Sequence, residues 1–226
     1  KEISKILKVK YVSMTSSGTS ALLVAMLAVG LKKDDTILVP ERSWISLINA
    51  AAILGLKIIT IDVKKDRPVM DEKLFNNLKI KANAVAVVHM GGRAVEMDNI
   101  IKIAKKRKIT VIEDAAQAFG SKYKNKHLGT ISEIGCFSLS MAKTITSGQG
   151  GFLVTNKIEL YKKIKKIKNN GISNVLEVEK WGNLGFNFKY TDFISSITFS
   201  ELKKYKSHIK NMTDLYKFYK KNIIKN

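Results

Sequence analysis

The chain holds one cysteine, Cys136, in 226 residues, so neither a disulfide framework nor a cysteine-based zinc site can be built from it. Its three histidines, His89, His127 and His208, stand far apart. No HxxxH pair occurs, which removes the usual helical zinc-hydrolase motif, and no metal site is expected. Apolar runs are short. The longest stretches, such as 21–31, fall well below the span needed to cross a bilayer. The opening Lys1-Glu2-Ile3-Ser4 carries no signal-peptide pattern. These absences describe a soluble, cytoplasmic protein of a reducing compartment, with no membrane partner. Arginine is also scarce: only Arg42, Arg67, Arg93 and Arg107 among 40 basic residues.

That scarcity decides how the net charge of +21 is read. Nucleic-acid readers lean on arginine forks for phosphate and guanine. Here the excess is lysine spread along the whole chain, with local runs at 162–168 and 203–221. The pattern argues against nucleic acid as the principal partner and fits a general attraction to anionic ligands.

What is present is alternation. Residues 17–31 read as a buried helix opening on Ser-Gly-Thr-Ser, 44–54 as a second helix, 71–78 as a short helix capped by Asp71, and 95–107 as an amphipathic helix with a basic end. Between them lie β-rich runs: 36–39 before Pro40, KIITIDV (57–63), AVAVVH (84–89) and TVIE (110–113). Residues 136–140 and 151–155 read as strands flanking a glycine-rich turn, 158–167 as a helix, and 193–219 as one long helix or two. Continuous apolar strands alternating with helices predict an α/β fold: a mostly parallel sheet with helices on both faces, in three α/β/α layers. Ligands of such sheets sit at the carboxyl ends of the strands, where His89 and Asp114 fall. The first residues already follow helical spacing (Ile3, Ile6, Leu7), and no initiator methionine precedes them, so the chain reads as a fragment.

Five elements could carry chemistry. Asp114-Ala115-Ala116-Gln117 is either a helix N-cap with closely packed alanines or a buried carboxylate that holds a proton on a cationic ring nitrogen. Lys143 is the only lysine between Ile134 and Thr155. It is either an exposed loop residue or a desolvated amine suited to Schiff-base formation. The hydroxyls around it, Ser138 included, could bind a phosphate. Ser17-Gly18-Thr19-Ser20 is a simple cap or a phosphate site at a helix start. Trp44 is a core tryptophan or a stacking face for a flat ring. The run from Gly182 to Asp192 (GNLGFNFKYTD) says only that an ordered loop precedes a capped helix.

In this order and spacing the blocks SGTSAL, VIEDAAQAFGSKYKNKHLGT, FSLSMAKTITSGQGGFLVT and GNLGFNFKYTD resemble one family. It is the DegT/DnrJ/StrS sugar aminotransferases, pyridoxal-phosphate enzymes of fold type I. The resemblance runs from about Tyr11 to Tyr205. It implies a cofactor-binding large domain over 1–205, with 206–226 leading into a small C-terminal domain. It implies that Lys143 forms the Schiff base, that Asp114 pairs with the ring nitrogen and that Gln117 bonds the ring hydroxyl. Gly18, Thr19, Ser20 and Ser138 would bind the phosphate and Trp44 would stack on the ring. Asn187 would reach the phosphate of a neighbouring subunit, which implies a homodimer with shared active sites. The activity implied is transfer of an amino group, usually from glutamate, to a keto group on a nucleotide-linked sugar, a reaction of nucleotide-sugar and polysaccharide (O-antigen) biosynthesis. Another fold-type I reaction, such as an amino-acid lyase, is the alternative among enzymes. A regulatory or interaction protein on the same fold is the alternative outside them. Two features depart from the family or divide it. His89-Met90-Gly91-Gly92-Arg93 lacks the aromatic residue and proline-like turn often found there. Some relatives carry histidine in place of the Schiff-base lysine and catalyse dehydration, and Lys143 argues against that variant.

Overall fold

The structure is a computed structural model and describes residues 1–172 and 184–223. In chain order its elements are α1 (Glu2–Leu7), β1 (Tyr11–Thr15), α2 (Gly18–Ala28), β2 (Thr36–Pro40), α3 (Ile45–Ile53), β3 (Lys57–Ile61), α4 (Glu72–Asn77), β4 (Ala84–Val88), α5 (Met97–Arg107) and β5 (Thr110–Asp114). The small hairpin β6 (Lys122–Tyr123) and β7 (Lys126–His127) follows. Then come β8 (Ile134–Ser138), β9 (Gly151–Thr155), α6 (Ile158–Ile167) and α7 (Asp192–Asn222).

Seven strands form one sheet in the order β1-β9-β8-β5-β4-β2-β3. β2, β3, β4, β5 and β8 run parallel, and β9 is antiparallel to both β8 and β1. β1 therefore points the same way as the parallel set. Strand period sends alternate side chains to opposite faces. Ala84, Ala86 and Val88 of β4 pack with α2 and α3, whereas Val85 and Val87 pack with α5. Helices thus cover both faces, giving the three-layer α/β/α fold expected.

The helices follow from their patterns. α2 is apolar all round, and every residue from Ser20 to Met26 is buried; such a helix belongs in an interior. α5 buries Met97, Ile100 and Ala104 on one stripe and ends on Lys105, Lys106 and Arg107, cations placed against the negative end of its dipole. Asp71 caps α4 by accepting from Lys73 N and Leu74 N, as its sequence position indicated. No helix among the described residues is long and apolar enough to cross a membrane.

Two outcomes depart from the sequence reading. β1 and the β6/β7 hairpin were not expected. β5 extends one residue further, so Asp114 is its last residue rather than the residue beyond it. Of the two readings of 193–219, one long helix or two, the structure has the first: α7 is one continuous helix.

Candidate active site

Because β9 alone is reversed, the carboxyl ends of the other strands and the start of β9 meet on one edge of the sheet. A cavity of about 480 Å³ opens there. Its lining comes from the turn after β1 (Ser17, Gly18, Thr19), the start of α3 (Trp44, Ser46), the end of β4 (Val88), the end of β5 (Asp114, Ala116, Gln117) and the connection from β8 to β9 (Ser138, Ser140, Ala142, Lys143, Gly148, Gln149, Gly150).

At one end stands the N-terminus of α2. Ser17 and Ser20 form a reciprocal capping box, each hydroxyl accepting from the other's backbone N–H at 2.9–3.0 Å. That settles the cap reading of Ser-Gly-Thr-Ser and removes Ser20 from the cavity: its side chain is buried in the cap and does not line the site. Gly18 and Thr19 do line it. A Cβ on Gly18 would stand 2.9 Å from Ser138 Cβ, and one on Gly151 would strike the carbonyl of Ser17. The two glycines let the helix start press against the ends of β8 and β9. Backbone N–H groups, the positive end of an eleven-residue helix and the Ser138 hydroxyl are thereby gathered in one place, the donor set of an anion site.

At the other end is Asp114, only 4% exposed. Its Oδ1 accepts from Ala116 N at 3.0 Å. No helix follows it, so the N-cap reading fails and the contact is a local turn. Among the described residues no cation pairs with the carboxylate within 4.0 Å. Burial pushes its pKa above the ordinary range, and the Ala116 N–H, His89 and Lys143 only partly oppose that. A buried carboxylate on a cavity wall, with no charge partner, is a receptor for a cation. Gln117 is oriented by Gly91 N–H, which donates to its Oε1 at 2.8 Å. The amide nitrogen of Gln117 is left as the group available to donate.

Lys143 sits on the 139–150 connection, which is pinned at several points. Leu139 and Ile145 are buried in the core below it. Leu139 N donates to Gly150 O, Ser147 N donates to Leu139 O and Lys143 N donates to Ser140 O. Ser147 Oγ bonds Tyr190 Oη at 2.7 Å, and Tyr190 Oη bonds Thr198 Oγ1 of α7. Lys143 is half-buried rather than enclosed, and it shares the cavity wall with Asp114. Trp44 is not a core residue: it is 70% exposed and forms part of the cavity rim. Asn187 does not line the cavity. It is exposed, in a bridge to Asn169, while Gly182 and Asn183 of the same block lie outside the described residues.

The sequence reading passed over Glu113. It lies on the opposite face of β5 from Asp114 and is fully buried. Its Oε2 accepts from His89 Nε2 (3.0 Å) and Gly129 N (2.8 Å), and its Oε1 accepts from Ile131 N (2.8 Å) and Ser132 N (2.6 Å). Burial works against ionisation, but the His89 contact and the backbone donors outweigh it and lower the Glu113 pKa. His89 Nδ1 accepts from Val95 N at 3.4 Å, so the ring proton lies on Nε2 and points at Glu113. His89 is therefore a buried support and does not reach the cavity. The signal was legible: a carboxylate inside the apolar strand TVIED must be paired to be buried.

Comparison with known proteins matches residues 1–225 to the model of the DegT/DnrJ/EryC1/StrS aminotransferase family. The chain is 35% identical over 221 residues to a GDP-perosamine synthase of Escherichia coli O157:H7, covering 95% of this chain and 59% of the relative. It is 35% identical over 225 residues to a UDP-4-amino-4,6-dideoxy-N-acetyl-beta-L-altrosamine transaminase of Campylobacter jejuni, covering 96% and 59%. Among solved structures it resembles a GDP-4-keto-6-deoxymannose-3-dehydratase with a trapped PLP-glutamate geminal diamine. The TM-score is 0.84 and the identity 25%, over 91% of this chain and 61% of that one. The chain thus spans less than two thirds of the length of these relatives.

Proposed function

The chain belongs to the DegT/DnrJ/EryC1/StrS aminotransferase family, and from that premise we propose that it binds pyridoxal 5'-phosphate in the cavity at the strand ends and transfers an amino group from an amino acid, glutamate by preference, to a keto group on a nucleotide-linked sugar. One observation carries the reading: a half-buried amine, Lys143, and a buried carboxylate, Asp114, which makes no ion pair within 4.0 Å among the described residues, face a single cavity whose end is a helix N-terminus.

The residues present fit the group. Gly18 and Thr19 N–H with Ser138 Oγ would hold a phosphate, Asp114 would hold a protonated ring nitrogen, the Gln117 amide would donate to the ring hydroxyl, and Trp44 would stack on the ring. Bound there, the cofactor supplies an electron-withdrawing ring that stabilises negative charge at a carbon losing its proton. Asp114 keeps the ring nitrogen protonated, because an adjacent anion favours the charged form. Lys143 Nζ takes the proton from the donor's α-carbon as general base and later returns one as general acid. Its loop, fixed at Leu139, Ile145 and Ser147, keeps that amine in reach of both positions.

Residues 1–205 form the cofactor domain in this reading, and 206–226 lead into a smaller domain. Asn187, exposed on its own protomer, reaches the phosphate site of a second copy, so the active unit is a homodimer, and the protein works in the cytoplasm. Ser20 serves this site through the helix cap rather than by contact.

The test uses the full-length protein. With glutamate and a keto-sugar nucleotide, 2-oxoglutarate is expected in step with the aminated sugar. Steady turnover of the amino acid without a sugar acceptor points instead to a lyase.

Asp114→Asn separates two effects of the same carboxylate. The folded-state pKa is raised, so the stability this group contributes is fully present below the ordinary carboxylate value and is lost as pH rises through the raised folded value. At neutral pH the ligand-free variant is therefore expected to melt no lower than the parent. The cofactor-induced rise in Tm is expected to shrink, and turnover to fall about 10²–10³-fold. Scanning calorimetry with and without cofactor, beside turnover, reads all three. Unchanged turnover contradicts the role given to Asp114.

A further inference from the structure

Ser147 and Thr198 are polar side chains that the fold buries, and among the described residues Thr198 is the one buried residue of α7. The Tyr190 hydroxyl stands between them, 2.7 Å from Ser147 Oγ and 2.5 Å from Thr198 Oγ1. Each outer hydroxyl also reaches a backbone carbonyl. Ser147 Oγ donates to Gln149 O at 2.7 Å, and Thr198 Oγ1 donates to Ile194 O at 3.1 Å. The row therefore has four contacts, but three hydroxyls bring only three hydrogens. With Ser147 and Thr198 committed to carbonyls, Tyr190 has one hydrogen for two acceptors. It can bond the 139–150 connection or α7, and not both at once.

The Tyr190 ring bears on the same turn. A Cβ on Gly150, whose φ is +140°, would stand 2.5 Å from Tyr190 Cε2. The ring thus lies directly against the Gly150 backbone. Gly148, Gln149 and Gly150 line the cavity together with Lys143, whereas Ser147 and Tyr190 do not. Tyr190 stands behind that wall. It holds Ser147 by its hydroxyl and Gly150 by its ring, and those two residues close the neck of the connection on Leu139: Ser147 N donates to Leu139 O, and Leu139 N donates to Gly150 O. Lys143 is carried inside the loop so closed.

We propose that Tyr190 is a positioning residue for Lys143, acting through Ser147, and that α7 competes for the same hydroxyl hydrogen through Thr198. The seat of α7 then sets how firmly the amine is held. A hydrogen given to Ser147 tightens the neck, and one given to Thr198 releases it. The proposal rests on the reading of Lys143 above.

The test is amide hydrogen exchange of segment 139–150 in the full-length, cofactor-free protein, beside turnover of the loaded protein. Tyr190→Phe keeps the ring on Gly150 and removes only the shared hydrogen. Ser147 and Thr198 keep their carbonyl partners, so Tm is expected to stay within about 4 °C of the parent. Exchange across 139–150 is expected to quicken about fivefold or more, the weight of one lost hydrogen bond. The kcat is expected to fall about tenfold with little change in KM for the amino donor, because the amine is misplaced rather than binding lost. Thr198→Val carries the opposite sign. It leaves Ser147 as the acceptor for Tyr190, so exchange is expected to slow and kcat to hold at the parent value. Faster exchange in both variants reduces the row to packing and overturns the proposal, as does parent-like exchange in Tyr190→Phe. Faster exchange with unchanged kcat overturns the link to Lys143. A parent protein without the visible absorbance of a lysine-bound cofactor contradicts the function proposed above, and the opposite signs in exchange then still decide how the hydrogen is shared.

Discussion

Lys143→Ala is expected to lose turnover by about 10⁴-fold or more while the protein stays folded, since one side chain serves as both the attachment point and the proton carrier. The loop does not depend on this residue. Leu139 and Ile145 anchor it in the core, and Ser147 ties it to Tyr190. Lys143 itself is half-buried, and among the described residues its side chain makes neither a hydrogen bond nor an ion pair. A surface-like substitution of that kind changes stability by no more than about 0.5 kcal/mol. Lys143→Arg refines the result. Arginine keeps the positive charge facing Asp114 but stays protonated at any working pH, so it can neither attack an aldehyde nor take a proton. Both variants are expected to lose the visible absorbance of a lysine-bound cofactor and to lose turnover alike. An arginine variant that retained even a tenth of the activity would show that charge alone is what position 143 supplies.

The second large effect lies behind the cavity. Glu113→Gln is nearly isosteric, yet each Glu113 oxygen already accepts from two donors. An amide nitrogen on either side therefore faces two donors with a donor of its own. Breaking a buried, fully satisfied charged group of this kind costs about 3–5 kcal/mol, and for a chain of this size that is roughly 10 °C in Tm. The sign with pH is fixed by the lowered folded-state pKa. The contribution is fully present above the ordinary glutamate value of about 4.3 and is lost as pH falls through the lower folded value. The stability gap between parent and Glu113→Gln is thus expected to be widest at neutral pH and to close in acid. A catalytic cost accompanies it. His89 N donates to Asp114 O, and the turn after His89 presents the Gly91 N–H that orients Gln117. Loosening His89 therefore loosens two residues that face the cavity. A gap that stayed constant down to pH 3 would contradict the pairing.

The fold was legible because the strands announced themselves. AVAVV and TVIE are continuous apolar runs between helical patterns, and a parallel sheet buried on both faces needs such runs. What escaped was the reversed strand. β9 follows β8 through a connection long enough for either direction, so nothing local in residues 139–150 fixed its sense. β1 was passed over because Tyr11–Thr15 mixes polar and apolar side chains at a position where only alternate residues are buried. At the site, Asp114, Gln117, Ser138, Lys143, Gly18, Thr19 and Trp44 line one cavity although they come from four separate stretches of sequence. Ser20 and Asn187 do not join them. Local chemistry explains the first, because a serine three residues into a capping box is consumed by the cap. Asn187 is exposed and bridged to Asn169, away from the residues that line the cavity. Trp44 shows the limit of composition: a tryptophan is more often core than rim, and only its place at the start of α3 exposes it.

The most direct measurement is reduction of the cofactor-loaded, full-length protein with borohydride, followed by peptide mapping for the lysine that carries the phosphopyridoxyl group. The chain offers 36 lysines, so the position is informative. The expected result is stoichiometric labelling of Lys143 alone, abolished in Lys143→Ala. Labelling of another lysine, or scattered substoichiometric labelling across the surface, would contradict the account.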